Sequence, residues 1–272
     1  MLKIEKVVLP SAEQWEAIIR GMRNPKNSWD LSDSWTGCAD GQRCDCCYEM
    51  CTGSVYQLGP NDRKLMMNLA NGGPVHAKYR RMIPVFLDIT APLYWWKEFD
   101  TYKIGTVANS CSTMHKIQAK EFTIDDFSYE HLICSVPEEP FDQEVPDGVT
   151  IMANDNDGCL AVVCRGNFHE GHSYEGVLYV SQKDILDMFI IPALNANREA
   201  YLKTKDKKFW WNMIQLLPTS YNQKRTVMLN YEVLHNIYHS RKNHKLDEWH
   251  VVCDWIESLP YSELITGKQS GE

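Results

Sequence analysis

The stretch from Thr226 to Trp249 constrains this chain more than any other. It runs Thr226-Val-Met-Leu-Asn230-Tyr-Glu-Val-Leu-His-Asn236-Ile-Tyr-His-Ser-Arg241-Lys-Asn-His244 and closes on Asp247-Glu248-Trp249. Its apolar residues recur at helical spacing, which predicts a helix over about Val227–Ser240. Leu234, Ile237 and Arg241 fall on one stripe with Asn230, whereas Asn236 points elsewhere. Asparagine is a poor helix former, because its side chain competes for nearby backbone groups. A buried amide or guanidinium must also find a partner. Two readings meet these demands. One is an ordinary amphipathic helix with its polar groups outside. The other is a helix with a polar ligand lying along it.

The rest of the composition sets bounds. The 272 residues are 44% hydrophobic and 24% charged, values of a globular protein with room for a large core. A net charge of −8 argues against a nucleic-acid binder and leaves room for a local basic pocket. Met1-Leu-Lys-Ile-Glu-Lys6 has no long apolar run, so no signal peptide is expected. Met188-Phe-Ile-Ile-Pro-Ala-Leu194 is far too short to span a bilayer. The expected compartment is the cytoplasm. Ten cysteines are many for such a chain, and Cys38, Cys44, Cys46, Cys47 and Cys51 crowd into one segment. Four thiolates there could enclose zinc or an iron–sulfur cluster. Paired Cys-x-x-Cys units are absent, however, and adjacent Cys46 and Cys47 cannot easily share one ion. Reduced structural thiols and intersubunit contacts are the alternatives, and no metal ligand is assigned.

Local signals divide the chain into elements. Ser11-Ala-Glu-Gln14 is a capping box opening a helix to about Met22, ended by Asn24-Pro25. Ser28–Gly59 reads as irregular. Asn61-Asp62 caps a second helix that stops at Gly72-Gly73-Pro74. His76 reads as a helix-terminal cap, with a place near a ligand as the alternative. Arg81–Thr90 reads as a strand in which Pro84 implies an edge or a bulge. Ala91-Pro92 starts a helix carrying Tyr94, Trp95, Trp96 and Phe99. Val149–Met152 and Leu160–Arg165 read as a hairpin around Asn154–Gly158, and Leu178–Val180 as a further strand. Helices are expected at about Lys183–Phe189, Lys207–Leu217 and Leu246–Ser258. Trp95-Trp96 and Trp210-Trp211 read as core. Between Asp100 and Lys116 lie small hydroxylated residues, Gly105 and the basic Lys103 and Lys116. That composition suits an anion-binding loop, or a Ser/Thr-rich loop bonding its own backbone. Cys111 and Ser112 have no accompanying base that would make them nucleophiles.

Leu217-Pro218, Asn230, Asn236, Arg241, His244 and Glu248-Trp249 together resemble the C-terminal signature of the flavin-dependent thymidylate synthases. The Asn and Arg intervals match without a gap; the interval from His244 to Trp249 is longer. In that family a helix starting at Ala-Pro leads to an Arg-His-Arg triplet and then a Ser-x-Asn-Glu-x-Ser-x-Arg segment. Counting from Ala91-Pro92 puts Thr101-Tyr102-Lys103 on the triplet, and Asn109 and Ser112 on the later Asn and Ser if one residue is inserted. Met114 or His115 stands where an arginine would hold nucleotide phosphate, and Ile214 stands where another would. The resemblance covers about 61–116 and 209 to the C-terminus.

It implies an α+β fold, a mixed sheet flanked by helices, over a single domain of residues 1–272. That domain would carry a Cys-rich insertion at about 36–58 and a variable hairpin region at about 135–180. It implies a homotetramer with sites between subunits; from charge and hydropathy no nucleic-acid or membrane partner is expected. FAD would be the cofactor, with NADPH and methylenetetrahydrofolate as further participants. Tyr102, Lys103, Asn109, Asn230, Asn236 and His244 would bind flavin. Ser112 and Arg241 would bind the substrate, a pyrimidine deoxynucleotide such as dUMP. Arg241 would be catalytic, by stabilising charge that develops on the base. The expected reaction is FAD-linked carbon transfer or reduction. The alternatives are a non-catalytic ligand-binding or structural protein on the same scaffold, and a metal-binding protein acting through the Cys-rich loop.

Overall fold

A computed structural model describes residues 2–38, 54–132, 148–153, 160–168 and 172–267. Cys44, Cys46, Cys47 and Cys51, and the expected turn at Asn154–Gly158, lie outside the described residues. In chain order the first elements are β1 (Lys3–Val8), α1 (Ala12–Arg23), β2 (Trp35–Cys38), β3 (Ser54–Gln57) and α2 (Pro60–Asn71). Next come β4 (Pro84–Pro92), α3 (Leu93–Phe99), β5 (Val107–Ser110) and α4 (Thr113–Lys116). Then β6 (Gly148–Ala153), β7 (Leu160–Phe168) and β8 (His172–Val180) lead to α5 (Gln182–Asp184), a π-helical stretch Ile185–Ile190, α6 (Ile191–Thr204) and α7 (Lys207–Leu216). The last are β9 (Asn222–Asn230), α8 (Tyr231–Arg241), α9 (Asp247–Glu257) and α10 (Glu263–Thr266). This is the expected α+β mixture. The chain divides into two compact units, Leu2–Cys111 with Gln223–Glu272, and Ser112–Asn222.

The larger unit is built on a four-stranded sheet of order β1-β4-β9-β5. On β4 Val85, Leu87, Ile89 and Ala91 alternate inward, and on β9 Val227 and Leu229 do the same. Each of the Val, Leu and Ile side chains contributes about 1.5–3 kcal/mol by leaving water. β4 lies between β1 and β9, so Pro84 does not mark an edge. It is the first residue of an internal strand, where its missing N–H breaks no ladder inside the strand. The irregular register falls instead on β1, between Glu5 and Val8, where Lys6 has a φ of 52°.

Helix starts follow the sequence closely in two places and depart in a third. Ser11 Oγ accepts from the Gln14 N–H and the Gln14 carboxamide accepts from the Ser11 N–H, so the capping box forms. Trp15, Ile18, Ile19 and Met22 form the buried stripe of α1. Pro92 precedes α3 as expected, and Trp95, Trp96 and Phe99 are buried in the core. Trp96 Nε1 donates to the Gln223 carbonyl at 2.9 Å, which ties α3 to β9. α2 begins one step earlier than expected, at Pro60, with Gly59 as its cap. The N–H groups of Asn61 and Asp62 are satisfied from outside the helix, by the Asp33 carboxylate. His76 makes no side-chain cap bond.

That leaves Asp62 for another task. It is fully buried, and Arg23 Nε donates to its Oδ1 at 2.5 Å. The hydroxyls of Ser32 and Ser34 and the Asp33 and Ser34 N–H groups all donate to its other oxygen. Arg23 also binds the Ser28 and Leu31 carbonyls. The segment read as irregular, Ser28–Gly59, is thus anchored at Ser28–Ser34. It then enters an antiparallel pairing of β2 with β3, from Trp35↔Gln57 to Cys38↔Ser54.

The unit Ser112–Asn222 holds an antiparallel sheet of order β6-β7-β8 and a core of Ile117, Phe122, Phe127, Leu186, Ile191, Leu194 and Met213. The expected hairpin and third strand are present, each strand longer than its sequence signal. The helix expected at Lys183–Phe189 continues to Thr204 through the π-helical stretch. There the Ile191 N–H reaches back to the Leu186 carbonyl, and Pro192, which has no N–H, follows. Trp210 is partly buried and donates to the Met114 carbonyl, but Trp211 is exposed rather than core.

Burial raises the Asp62 pKa, but the Ser34 and Ser32 hydroxyls and the Arg23 guanidinium outweigh it and hold the carboxyl below the ordinary value. The stability this contributes is present above the unfolded carboxylate pKa and is lost as pH falls through the lower folded value. Asp62→Ala, which strands a buried guanidinium, is expected to cost about 3–5 kcal/mol. It should also remove the acid-labile component below about pH 4. Urea denaturation at pH 7 and pH 3.5 checks both; a loss under about 1 kcal/mol would show that Arg23 finds other partners.

Candidate functional site

One carboxylate oxygen organises the polar end of the larger unit. Glu98, on the last turn of α3, accepts from Arg241 Nη1 at 2.9 Å and Trp249 Nε1 at 3.0 Å on Oε2, and His244 Nε2 lies 3.3 Å from the same oxygen. Arg241 ends α8, His244 lies just beyond it, and Trp249 is on the first turn of α9. The guanidinium lies 4.9 Å over the Trp249 ring, and its Nε donates to the Tyr102 hydroxyl at 3.0 Å. Tyr94, Glu98 and Tyr102 are spaced four apart and meet α9 on one side, where the Tyr94 hydroxyl donates to Glu248 Oε1. Arg241 and Glu98 keep 18% and 33% side-chain exposure, so the pair is open on one face.

The backbone explains how these groups meet. β9 runs to Asn230, where the sequence pattern predicted helix from Val227 on. Thr226-Val-Met-Leu229 alternates with period two: Val227 and Leu229 are buried and Thr226 is exposed. Asn230 then caps α8, its Oδ1 accepting from the Val233 N–H at 3.1 Å. Asn230 is therefore not on the helical stripe with Leu234, Ile237 and Arg241. Gly105, at φ +82°, passes so close to this cap that an added Cβ would stand 3.0 Å from Asn230 Nδ2. The loop after α3 needs glycine there.

The other predicted residues divide into engaged and open groups. His244 Nδ1 accepts from the Leu246 N–H at 3.2 Å, which leaves Nε2 facing Glu98 Oε2 at 3.3 Å. The Tyr102 hydroxyl accepts from Arg241. Lys103, Asn109 and Asn236 are exposed, and their side chains make no hydrogen bond among the described residues. Ser112 belongs to the other unit, where its hydroxyl caps α4 by accepting from the His115 N–H at 3.0 Å. Asn230 and Arg241 mark the two ends of α8, about 16 Å apart at the helical rise per residue. Sequence reading missed Glu98. Its signal was a lone carboxylate within the aromatic run Tyr94-Trp-Trp-Lys-Glu98-Phe, one turn before Tyr102. Among the described residues no group of three or more His, Cys, Asp or Glu side chains could hold a metal ion. No helix among them is long and apolar enough to cross a membrane.

No protein-family profile matches the chain, and no curated protein sequence does. Solved structures do. Thymidylate synthase X (ThyX) from Helicobacter pylori, solved with FAD and dUMP, superimposes with a TM-score of 0.54 at 13% identity, covering 98% of each chain. A second structure of that organism's flavin-dependent thymidylate synthase, also with FAD and dUMP, gives 0.52 at 14% identity, again over 98% of each chain. The chain has the fold of a flavin-dependent thymidylate synthase. On this thymidylate synthase fold, Ile214 packs against the core around Met213, and Met114 is 46% exposed. Neither side chain can bind phosphate.

Replacing Arg241 with Met keeps the stem over Trp249 but removes the donor to the Tyr102 hydroxyl and one of the two donors to Glu98 Oε2. The expected cost is about 1–3 kcal/mol, with a changed tryptophan emission because the cation no longer lies over the Trp249 ring. Urea titration followed by intrinsic fluorescence reads both. An unaltered spectrum and midpoint would mean that the cluster does not form in solution.

Proposed function

We propose that this chain is a flavoenzyme carrying out carbon transfer or reduction on a pyrimidine deoxynucleotide or a close relative of one. We propose further that it works as a homotetramer with its sites between subunits. The observation that carries the reading is whole-chain similarity of fold to proteins solved with FAD and dUMP. The residues fit a flavin in one respect: Lys103, Asn109 and Asn236 present uncommitted polar side chains that can pair with the heteroatoms of an isoalloxazine or its phosphates. Asn230 reaches such a ligand through Nδ2, since its oxygen caps α8. The Tyr102 hydroxyl accepts from Arg241 and can still donate its own proton to such a ligand, whereas His244 Nε2 would have to turn from Glu98, 3.3 Å away.

A bound flavin supplies the redox chemistry, with NADPH as its reductant and methylenetetrahydrofolate as the carbon source for a methylation. The protein orients the ring and stabilises charge on it. Arg241 suits that role because Nη2 has no hydrogen-bond partner among the described residues, while Nε and Nη1 are fixed by Tyr102 and Glu98. A held donor of this kind, aimed at a ring carbonyl, stabilises the enolate-like charge that develops when the adjacent carbon is attacked. The Ser112 hydroxyl, though it accepts as a cap, can still donate to a substrate.

The absorption spectrum of purified protein, before and after FAD addition and desalting, tests the reading. Retained flavin bands are expected, with Asn236→Ala weakening FAD binding about tenfold, the value of one lost hydrogen bond. Arg241→Ala is expected to abolish turnover of reduced flavin with a pyrimidine substrate. A colourless protein that gains nothing from FAD would instead support a non-catalytic binding or structural protein on the same scaffold.

A further inference from the structure

Two histidines on α8 lie outside the cluster at Glu98. His235 and His239 stand one turn apart on one face of the helix, where side chains at this spacing are neighbours. Their rings meet edge to face with centroids 4.3 Å apart. Both reach the same backbone oxygen, the Ile265 carbonyl on α10: His235 Nδ1 at 2.7 Å and His239 Nε2 at 3.2 Å. A carbonyl carries no proton, so the rings bond it only if each brings its own N–H. Two imidazole nitrogens and one oxygen are thus drawn together from two elements. Paired histidines at this spacing on a helix are also a set that divalent metals use.

The three donor atoms have separations that fit around one ion. With ligand bonds of about 2.1 Å, the two nitrogen–oxygen separations subtend roughly 80° and 100° at the ion. Those angles suit an open site with water in the remaining positions. Each ring turns to aim its lone pair at the ion, and its proton passes to the far nitrogen, so neutral rings release none. His239 is exposed and has room to turn. Desolvation of the ring, and after it His235, hold the His239 pKa below the usual histidine value, against the Ile265 bond that raises it, so the ring is neutral at pH 7. Lys242 and Arg80 act on the same ring in the same direction. Glu232 offsets them: it falls on this face of α8, its Oε2 lies 3.8 Å from Arg80 Nη1, and that oxygen is buried with no hydrogen bond.

We propose that His235, His239 and the Ile265 carbonyl bind a divalent transition-metal cation of the class of zinc, cobalt or nickel, and that the ion staples α10 to α8. Imidazole suits these ions, whereas a hard cation such as Mg²⁺ prefers oxygen and water. The site has two side chains and one backbone oxygen, so it differs in kind from a cluster of three His, Cys, Asp or Glu side chains. It shares no residue with the proposed flavin and pyrimidine contacts, and its test needs neither ligand.

That test is equilibrium dialysis of tag-free protein against cobalt(II), with absorption spectra of the dialysed protein. Thiolate ligands add a strong charge-transfer band in the near ultraviolet and imidazoles do not, so cobalt held by cysteines is told apart. The variants are His235→Asn and His239→Gln. In each, the amide N–H replaces the ring N–H that bonds Ile265, but the imidazole ligand is gone. Wild-type protein is expected to hold one cobalt more than either variant, with the thiolate band unchanged and the affinity of this site at least about tenfold weaker in each variant. Excess Mg²⁺ should leave that cobalt in place. Equal cobalt in the wild type and both variants overturns the proposal, as does a deficit seen only in the thiolate band or displacement by Mg²⁺. His239 is exposed, so His239→Gln decides alone if His235→Asn does not fold.

Discussion

Asn230 is the residue on which the arrangement turns. Its side-chain oxygen satisfies the Val233 N–H, so the chain changes from an internal strand of the sheet to a helix without a connecting loop. Because β9 is locked between β4 and β5, the start of α8 is fixed, and a helix of its length delivers Arg241 to one place only. Tyr231 strengthens the junction. It is fully buried, its N–H bonds the Ile83 carbonyl, and its hydroxyl donates to the Pro260 carbonyl at 2.5 Å. Burial drives the Tyr231 pKa up, which keeps that donor protonated.

At the far end of α8 the cluster is held by aromatic packing as much as by charge. Trp95 stacks near Phe99, and its ring lies 4.8 Å from that of Trp249, so α3 and α9 share one apolar seam. Glu98 sits at the edge of that seam and takes the Trp249 indole N–H, which would otherwise be buried without a partner. The same carboxylate then serves the apolar core and the polar face. This coupling means that a change at Glu98 acts on charge, on the posture of Arg241 and on the docking of α9 together. Arg225 makes a parallel contact on the other side of α3, 4.1 Å over the Trp96 ring and paired with Asp100. The aromatic helix is thereby bracketed by two cations, each held by its own acid.

Legibility differed from element to element for physical reasons. The capping box at Ser11 and the proline start at Pro92 were read correctly, because both depend on atoms within four residues. The Trp95-Trp96 pair was read as core because so much apolar area has few other places to go. Trp211 had the same composition and is exposed, with the Lys207 ammonium 5.8 Å over its ring, since its side of α7 faces away from the core. Asp62 looked like a helix cap and is instead the buried partner of Arg23, thirty-nine residues away in sequence. Among the candidate site residues, Arg241 and His244 were brought together with a group that local pattern could not supply. Lys103, Asn109 and Asn236 stand open on the surface.

By itself the sequence determined the α+β character, the helix starts at Ser11 and Pro92, and the concentration of polar groups between Thr226 and Trp249. Each of these follows from short-range spacing and side-chain chemistry. The tertiary structure alone decided that Thr226–Leu229 is strand. A short apolar run fits either element until neighbouring strands offer it a ladder. It also decided that Arg241 answers to Glu98, one hundred and forty-three residues earlier. That pairing requires α3, α8 and α9 to be packed already, so no local signal carries it.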